Sequence, residues 1–496
     1  LEGARIIKPD ESGFNPNNEA PTVARLPAAL LLLPVGVVLV ASQWVMARHS
    51  PAWTQESFRS IGDILPLVAL LGLPGLLALV AVPTLQRFAS SRTAIWLMLA
   101  TGLVMRLVWY GVPVVIDDDH FRYLWDGAVV AAGSNPYTIA PGAVMAGDPS
   151  ATHLAALAAQ AGSILRSINF PELTTIYPGT AQLAFALAHY VVPFSIDGLR
   201  IVFLGAELAG VAVLVAILKD LGRPPLMAAL FWLNPLIVWS SHGTVHSEAL
   251  LLPLLLGGCL AVWRGRDVLA AALLAFAVGV KLWPVLLVPL FARLTHARGR
   301  SLVVPAMVFA SVSFVLLAPL AHSALAGMRS GLVAYSDHWW TNNAPFSWIS
   351  YGVVLATGGE TWGQRMLRAA IALGVGGLAL YVARRPPVDL RSTLVATTAI
   401  AATTFYLSPA QFPWYALWFL ALAAAIESRP LLLSSGTLAS YYLLLPLVNQ
   451  GAGEAHNYGL ALLHALPVWA WLAWSYARPA ATPAALKPRA PSPTAS

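Results

Sequence analysis

The stretch "VVIDDDHFRYLWDG", residues 114–127, places Asp117, Asp118 and Asp119 in succession at the end of an apolar run. His120, Arg122, Tyr123, Trp125 and Asp126 follow at once. Carboxylates this close raise one another's pKa, and a low-dielectric interface disfavours ionisation further. A group tuned in that way suits a general base, or a site that meets hydroxyl groups or a cation. The plainer alternative is a solvated loop start whose aspartates cap a helix. The density of Arg, Tyr, Trp and a further Asp just behind the triplet favours a site.

Two other stretches carry chemistry. "SHGTVHSEALLL" sets His242, His246 and Glu248 at the mouth of an apolar segment. The two histidines are four apart, as in a helical metal pair. Gly243 and Thr244 weaken that geometry and no third ligand is evident, so polar contacts to substrate are preferred over a metal; a divalent ion stays the lesser alternative. A helix start capped by Ser247 and Glu248 is the bland reading. "KLWP" puts Lys281 in the middle of an apolar run. Lys281 and Arg122 are the candidate holders of a phosphate at the membrane interface, with snorkelling to a headgroup as the alternative for the lysine. Most of the 18 tryptophans read as interfacial anchors. Trp339, Trp340 and Trp414 stand among polar residues; Trp339 and Trp414 are placed with the site, as is Tyr177 of "INFPELTTIYPGT".

The elements that must position these residues are membrane helices. Of the 496 residues, 58% are hydrophobic and only 10% charged, against about 25% charged in a soluble domain, and the mean hydropathy is +0.70. A purely soluble protein is excluded. The net charge of +7 fits basic cytoplasmic loops, and nothing resembles a basic aromatic nucleic-acid face, so no nucleic-acid partner is expected. The single cysteine, Cys259, leaves no role for disulfides.

With about 20 apolar residues per span, spans are marked at 26–46, 63–83, 93–113, 199–218, 224–240, 246–263, 301–320, 366–383, 391–409, 413–427, 432–447 and 459–476. The stretches 177–193 and 268–292 bring the expected total to about 12–14, in an all-α polytopic bundle. Two half-helices meeting at "KLWP" would bring Lys281 towards the aspartates and out of mid-bilayer, where a lysine costs about 3 kcal/mol. Arg106 and Glu207, inside spans, read as an interhelix contact. Basic links such as Arg264/Arg266 and Arg384/Arg385 are assigned to the cytoplasm with both termini, leaving 114–175 as a large external loop. Residues 1–24 read as a flexible extension, 25–477 as the membrane domain and 478–496 as a disordered tail.

"DDHFRYLWDGAVVAAGSNPY" with "FPELTTIYPGTAQ", and more loosely "NPLIVWSSHGTVHSEAL", "VKLWPVLLVPL", "GLVAYSDHWWTNNAPF" and "LSPAQFPWYALW", resembles bacterial polytopic glycosyltransferases of the GT-C superfamily. The nearest group is the polyprenyl-phosphate-sugar-dependent, mannosyltransferase-like one, family 87-like. The resemblance implies a site facing the periplasm or cell exterior of a bacterial plasma membrane. It implies a polyprenyl-phosphate sugar donor and inversion by direct displacement. Asp118 and Asp119 match the family's acidic pair and would supply the base. Asp117, Arg122, Tyr123, Trp125, Asp126, Tyr177, His246, Glu248, Lys281, Trp339 and Trp414 are expected to meet substrate, with mannose or a related hexose or pentose moving to a glycolipid or envelope glycan. No cofactor is expected beyond the donor. Gly179 after Pro178 and His120 depart from the family pattern. A flippase for lipid-linked sugars, or a polymerase or ligase using a lipid-diphosphate donor, are the rival readings. Charge gathered at one face, without paired repeats, favours an enzyme over a transporter.

Overall fold

The computed structural model describes residues 28–87, 91–326, 330–358 and 360–477. The 1–24 extension and the 478–496 tail lie outside these residues. Within them the regular structure is helical, the only β features being two isolated bridges, Thr174 with Ser330 and Thr341 with Ala410. The expected all-α polytopic bundle is what the chain forms.

Seven helices among the described residues are long and apolar enough to cross a membrane. They are Leu32–Ala52, Ile61–Val82, Ile196–Asp220, Val303–Leu325, Trp362–Ala383, Arg429–Asn449 and Gly453–Ala477. A pair bent by 109°, Pro235–Gly243 with Ser247–Trp263, makes up to eight. These elements account for eight of the stretches marked from hydropathy. The others are shorter or interrupted, which is why the 12–14 expected from composition exceeds the number of full-length helices. Arg92–Leu107 stops at 16 residues. The run 224–240 is cut by Pro224, Pro225 and the Asn234–Pro235 step into one-turn pieces, since proline cannot donate to the preceding turn. Leu390–Leu407 has 18 residues but carries five threonines and an arginine.

Two interruptions matter for the site. The 268–292 run is a helix, Asp267–Val278, then a break at 279–282, then Trp283–Leu287 and Val288–Ala297. The Gly279 carbonyl accepts the Thr180 and Ala181 amides at 2.9 and 3.2 Å, so the break seats the helix Gly179–Val191. A β-carbon at Gly279 would collide with Thr180, which is why glycine stands there. The second interruption is a π-turn, Trp239–Gly243, a distortion common at functional sites. Val245 follows in the left-handed region at φ 57°, an outlier for a β-branched residue.

A buried ionic network holds that strained turn. Arg106 Nε meets Glu207 Oε2 at 2.8 Å, both fully buried, and its guanidinium lies 3.5 Å over the Trp232 ring. Ser241 Oγ donates to Glu207 at 3.0 Å. The interhelix contact expected of Arg106 and Glu207 is therefore present, and it reaches the turn that leads to His246. Arg200 completes the frame by donating to the carbonyls of His242 (3.0 Å) and Val112 (2.8 Å). One guanidinium thus ties the segment leading to Asp117 to the turn leading to His246.

The 114–175 segment is folded. Asp119–Ala131 packs on Gly179–Val191, and any β-carbon on Gly127 would collide with the Phe185 carbonyl. Small residues permit such close helix contact. Its outer part closes a second small core of Trp125, Val129, Leu154, Ala161, Leu165 and Ile168.

Candidate active site

The aspartate triplet opens a helix. Asp117 ends the approach segment and accepts the Asp119 amide at 3.1 Å, and Asp119 is the first residue of Asp119–Ala131. All three line one cavity of about 210 Å³, together with Arg122, Tyr177, Lys281, Trp339 and Trp414. Eight of the thirteen residues singled out from sequence therefore share this space. His246 and Glu248 sit directly behind its wall.

His246 faces the triplet from the bent helix pair. Its Nε2 is 3.4 Å from Asp117 Oδ2 and its Nδ1 3.8 Å from Asp119 Oδ2. Its ring stacks on Trp414 at 3.5 Å and 11°. Glu248 is buried and pairs with Lys281 Nζ at 2.9 Å, while that ammonium also lies 4.8 Å over the Tyr415 ring. The lysine thus reaches the aspartate cavity, as its mid-run position suggests, with a carboxylate at its back.

The triplet divides into unlike groups. Burial raises Asp117, but the His246 ring and the Asp119 amide outweigh it and hold that carboxyl below the usual range. Partial desolvation, then the Asp117 charge, push Asp118 up; Asn169 Nδ2 donates to it at 2.7 Å. Burial and then the Asp117 charge push Asp119 furthest, to about 6, with the Tyr123 hydroxyl 3.5 Å away. One carboxylate is held charged, and a neighbour is poised to exchange a proton near neutrality. Burial lowers His120 to about 4, so it stays neutral against Phe121. The ligand atoms of Asp117, Asp119 and His246 lie within 4.8 Å of one another, a set that could also hold a divalent cation.

Several expected residues have other partners. Arg122 spends its guanidinium on three carbonyls, Asn169 (3.2 Å), Phe170 (3.0 Å) and Leu173 (3.0 Å). It borders the cavity but shapes the loop that closes it. Asp126 is buried and accepts from Gln182 at 3.1 Å. Trp125 belongs to the second core, and Tyr123 stacks on Phe185 at 4.4 Å. Other lining residues were not singled out from sequence: Asn169, Phe170, Tyr335, Phe412, Tyr415 and Tyr441. "INFPEL" and "FPWY" flag some of these as polar or aromatic near a turn. Tyr441, inside "SSGTLASYYLLL", carries no such sign.

Residues 175–409 match the model of glycosyltransferase family 87. The match takes in Tyr177, His246, Glu248, Lys281 and Trp339 but begins after the aspartates and ends before Trp414. The chain is also 24% identical over 405 residues to Alpha-(1->6)-mannopyranosyltransferase A of Mycobacterium tuberculosis, an alignment covering 75% of each protein.

Proposed function

From its family 87-like, mannosyltransferase-type character, we propose that this membrane glycosyltransferase moves mannose, or a related hexose or pentose, from a polyprenyl phosphate to a glycolipid or cell-envelope glycan. The observation that carries the reading is the cavity itself, whose lining joins three carboxylates, an ammonium and several aromatic rings. An acceptor hydroxyl attacks the anomeric carbon as the carbon–oxygen bond to phosphate breaks. The hydroxyl proton passes to an aspartate, and the departing phosphate keeps the bonding electrons.

Sequence alone favours Asp118 as base. The Asn169 contact on Asp118 and the higher proton affinity of Asp119 move the preference to Asp119. Burial and the Asp117 charge keep Asp119 receptive, against the opposing pull of the His246 ring. Lys281 supplies positive charge where the phosphate gains negative charge. Phosphate leaves readily, so the reading assigns no metal. The basic links named above support a site on the non-cytoplasmic face with cytoplasmic termini.

Purified protein in lipid nanodiscs, given a mannoside acceptor and a panel of polyprenyl-phosphate sugars alongside nucleotide sugars, tests the donor class. Transfer is expected from a polyprenyl-phosphate sugar alone. Transfer from nucleotide sugars only would overturn the reading.

A further inference from the structure

Beside the aspartate cavity lies a second basin of about 550 Å³. Trp339 lines the first space, and the next residue, Trp340, lines the second. The basin is walled by Trp340, Trp348, Tyr351 and Tyr458, with Gln364 and Glu454 among the rings. We propose that it is a subsite for the non-reacting sugars of a glycan acceptor; this rests on the transferase reading above.

The basin is built. Trp340 stands across from Tyr458 with ring centroids 6.3 Å apart at 76°, and Tyr351 across from Tyr458 at 6.3 Å and 87°. Tyr458 thus meets both neighbouring rings edge to face, which fixes their orientation. Trp348 and Tyr351 are three residues apart in Ala344–Thr357 and so share a helix face. Trp348 Nε1 donates to the Tyr458 carbonyl at 2.9 Å. Asn457 accepts the Asn342 amide at 2.9 Å, which fixes the Tyr458 segment to the link that carries both tryptophans.

A pyranose has a face of C–H groups and a rim of hydroxyls. Aromatic faces meet the first, and a carboxylate with a side-chain amide meets the second. Binding sites for small molecules share that composition, apolar walls with a few placed polar groups. Aromatic residues also anchor proteins at the membrane interface, but the Glu454 carboxylate among these rings repels a lipid phosphate and accepts from sugar hydroxyls. Trp348 and Tyr351 are 48% and 57% exposed, so their ring faces are open to a ligand.

The test compares a methyl α-mannoside acceptor with an α1→6-linked mannotetraoside. Tyr351→Ala and Glu454→Gln are made singly; Trp348 is left alone because its indole supports the backbone. Each is expected to reduce the preference for the longer acceptor, as a ratio of KM values, by about tenfold. Equal preference in parent and variants would overturn the subsite and leave the transferase reading intact. If the parent transfers from no polyprenyl-phosphate sugar, that reading fails, and the subsite is then judged by binding alone. Saturation-transfer NMR of α1→6-mannobiose with the nanodisc-held parent should show transfer that Tyr351→Ala loses. No signal in the parent, or photo-crosslinking at position 351 to lipid in preference to the mannobiose, would overturn it.

Discussion

Asp119→Asn is expected to lower turnover by about 10²–10⁴-fold, equivalent to about 3–5 kcal/mol of barrier, with donor affinity retained. Asparagine preserves size and can still meet the Tyr123 hydroxyl, but it takes no proton from an acceptor. Donor binding survives because the base acts on the other substrate. The parent's kcat/KM should fall as pH drops through about 6, because Asp119 works only as the free carboxylate and burial with the Asp117 charge sets its affinity there. Above that pH the limb is flat. The variant should lack this limb. Asp118→Asn should cost less, since that carboxylate is engaged by Asn169. Turnover by Asp119→Asn close to the parent's would remove Asp119 from the chemistry.

Lys281→Met is expected to weaken donor binding and destabilise the protein together. It strips the buried Glu248 of its partner at 2.9 Å, and breaking such a pair costs about 3–5 kcal/mol. It also leaves a bare carboxylate near the place assigned to the phosphate. The pairing of Lys281→Met with Glu248→Gln separates the two effects. The double variant should regain most of the lost thermal stability, because no unpaired charge remains. It should not regain donor affinity, because the cation is still absent. Full recovery of donor affinity would mean that Lys281 serves only to neutralise Glu248.

The parts of this architecture that depend on local pattern were legible in the sequence. The aspartates follow an apolar run, Lys281 and Pro284 interrupt another, and the link carrying Trp339 is polar. Each of these signals lies within a few residues of its consequence, and all three reach one cavity. What depends on distant partners was not legible. Arg122 reads as a phosphate holder because its target carbonyls lie in a turn about 50 residues on, and carbonyls leave no mark on a sequence. Trp125 and Asp126 share a motif with the aspartates but point to other faces of the same helix, one into a small core and one towards Gln182. Glu248 reads as a substrate contact, while its ammonium partner comes from another segment. Full-length spans are fewer than hydropathy suggests because prolines and a π-turn divide apolar runs that composition alone cannot divide.

Direct displacement from a lipid phosphate, with an aspartate as base and no covalent sugar–enzyme intermediate, fixes the stereochemistry of the product. The most direct measurement is the anomeric configuration of the new glycosidic bond, read by NMR on product formed from a polyprenyl-phosphate sugar of defined configuration. Inversion is predicted. Retention would exclude a single back-side displacement, pointing instead to two successive displacements or same-face attack, and would contradict the role assigned to Asp119.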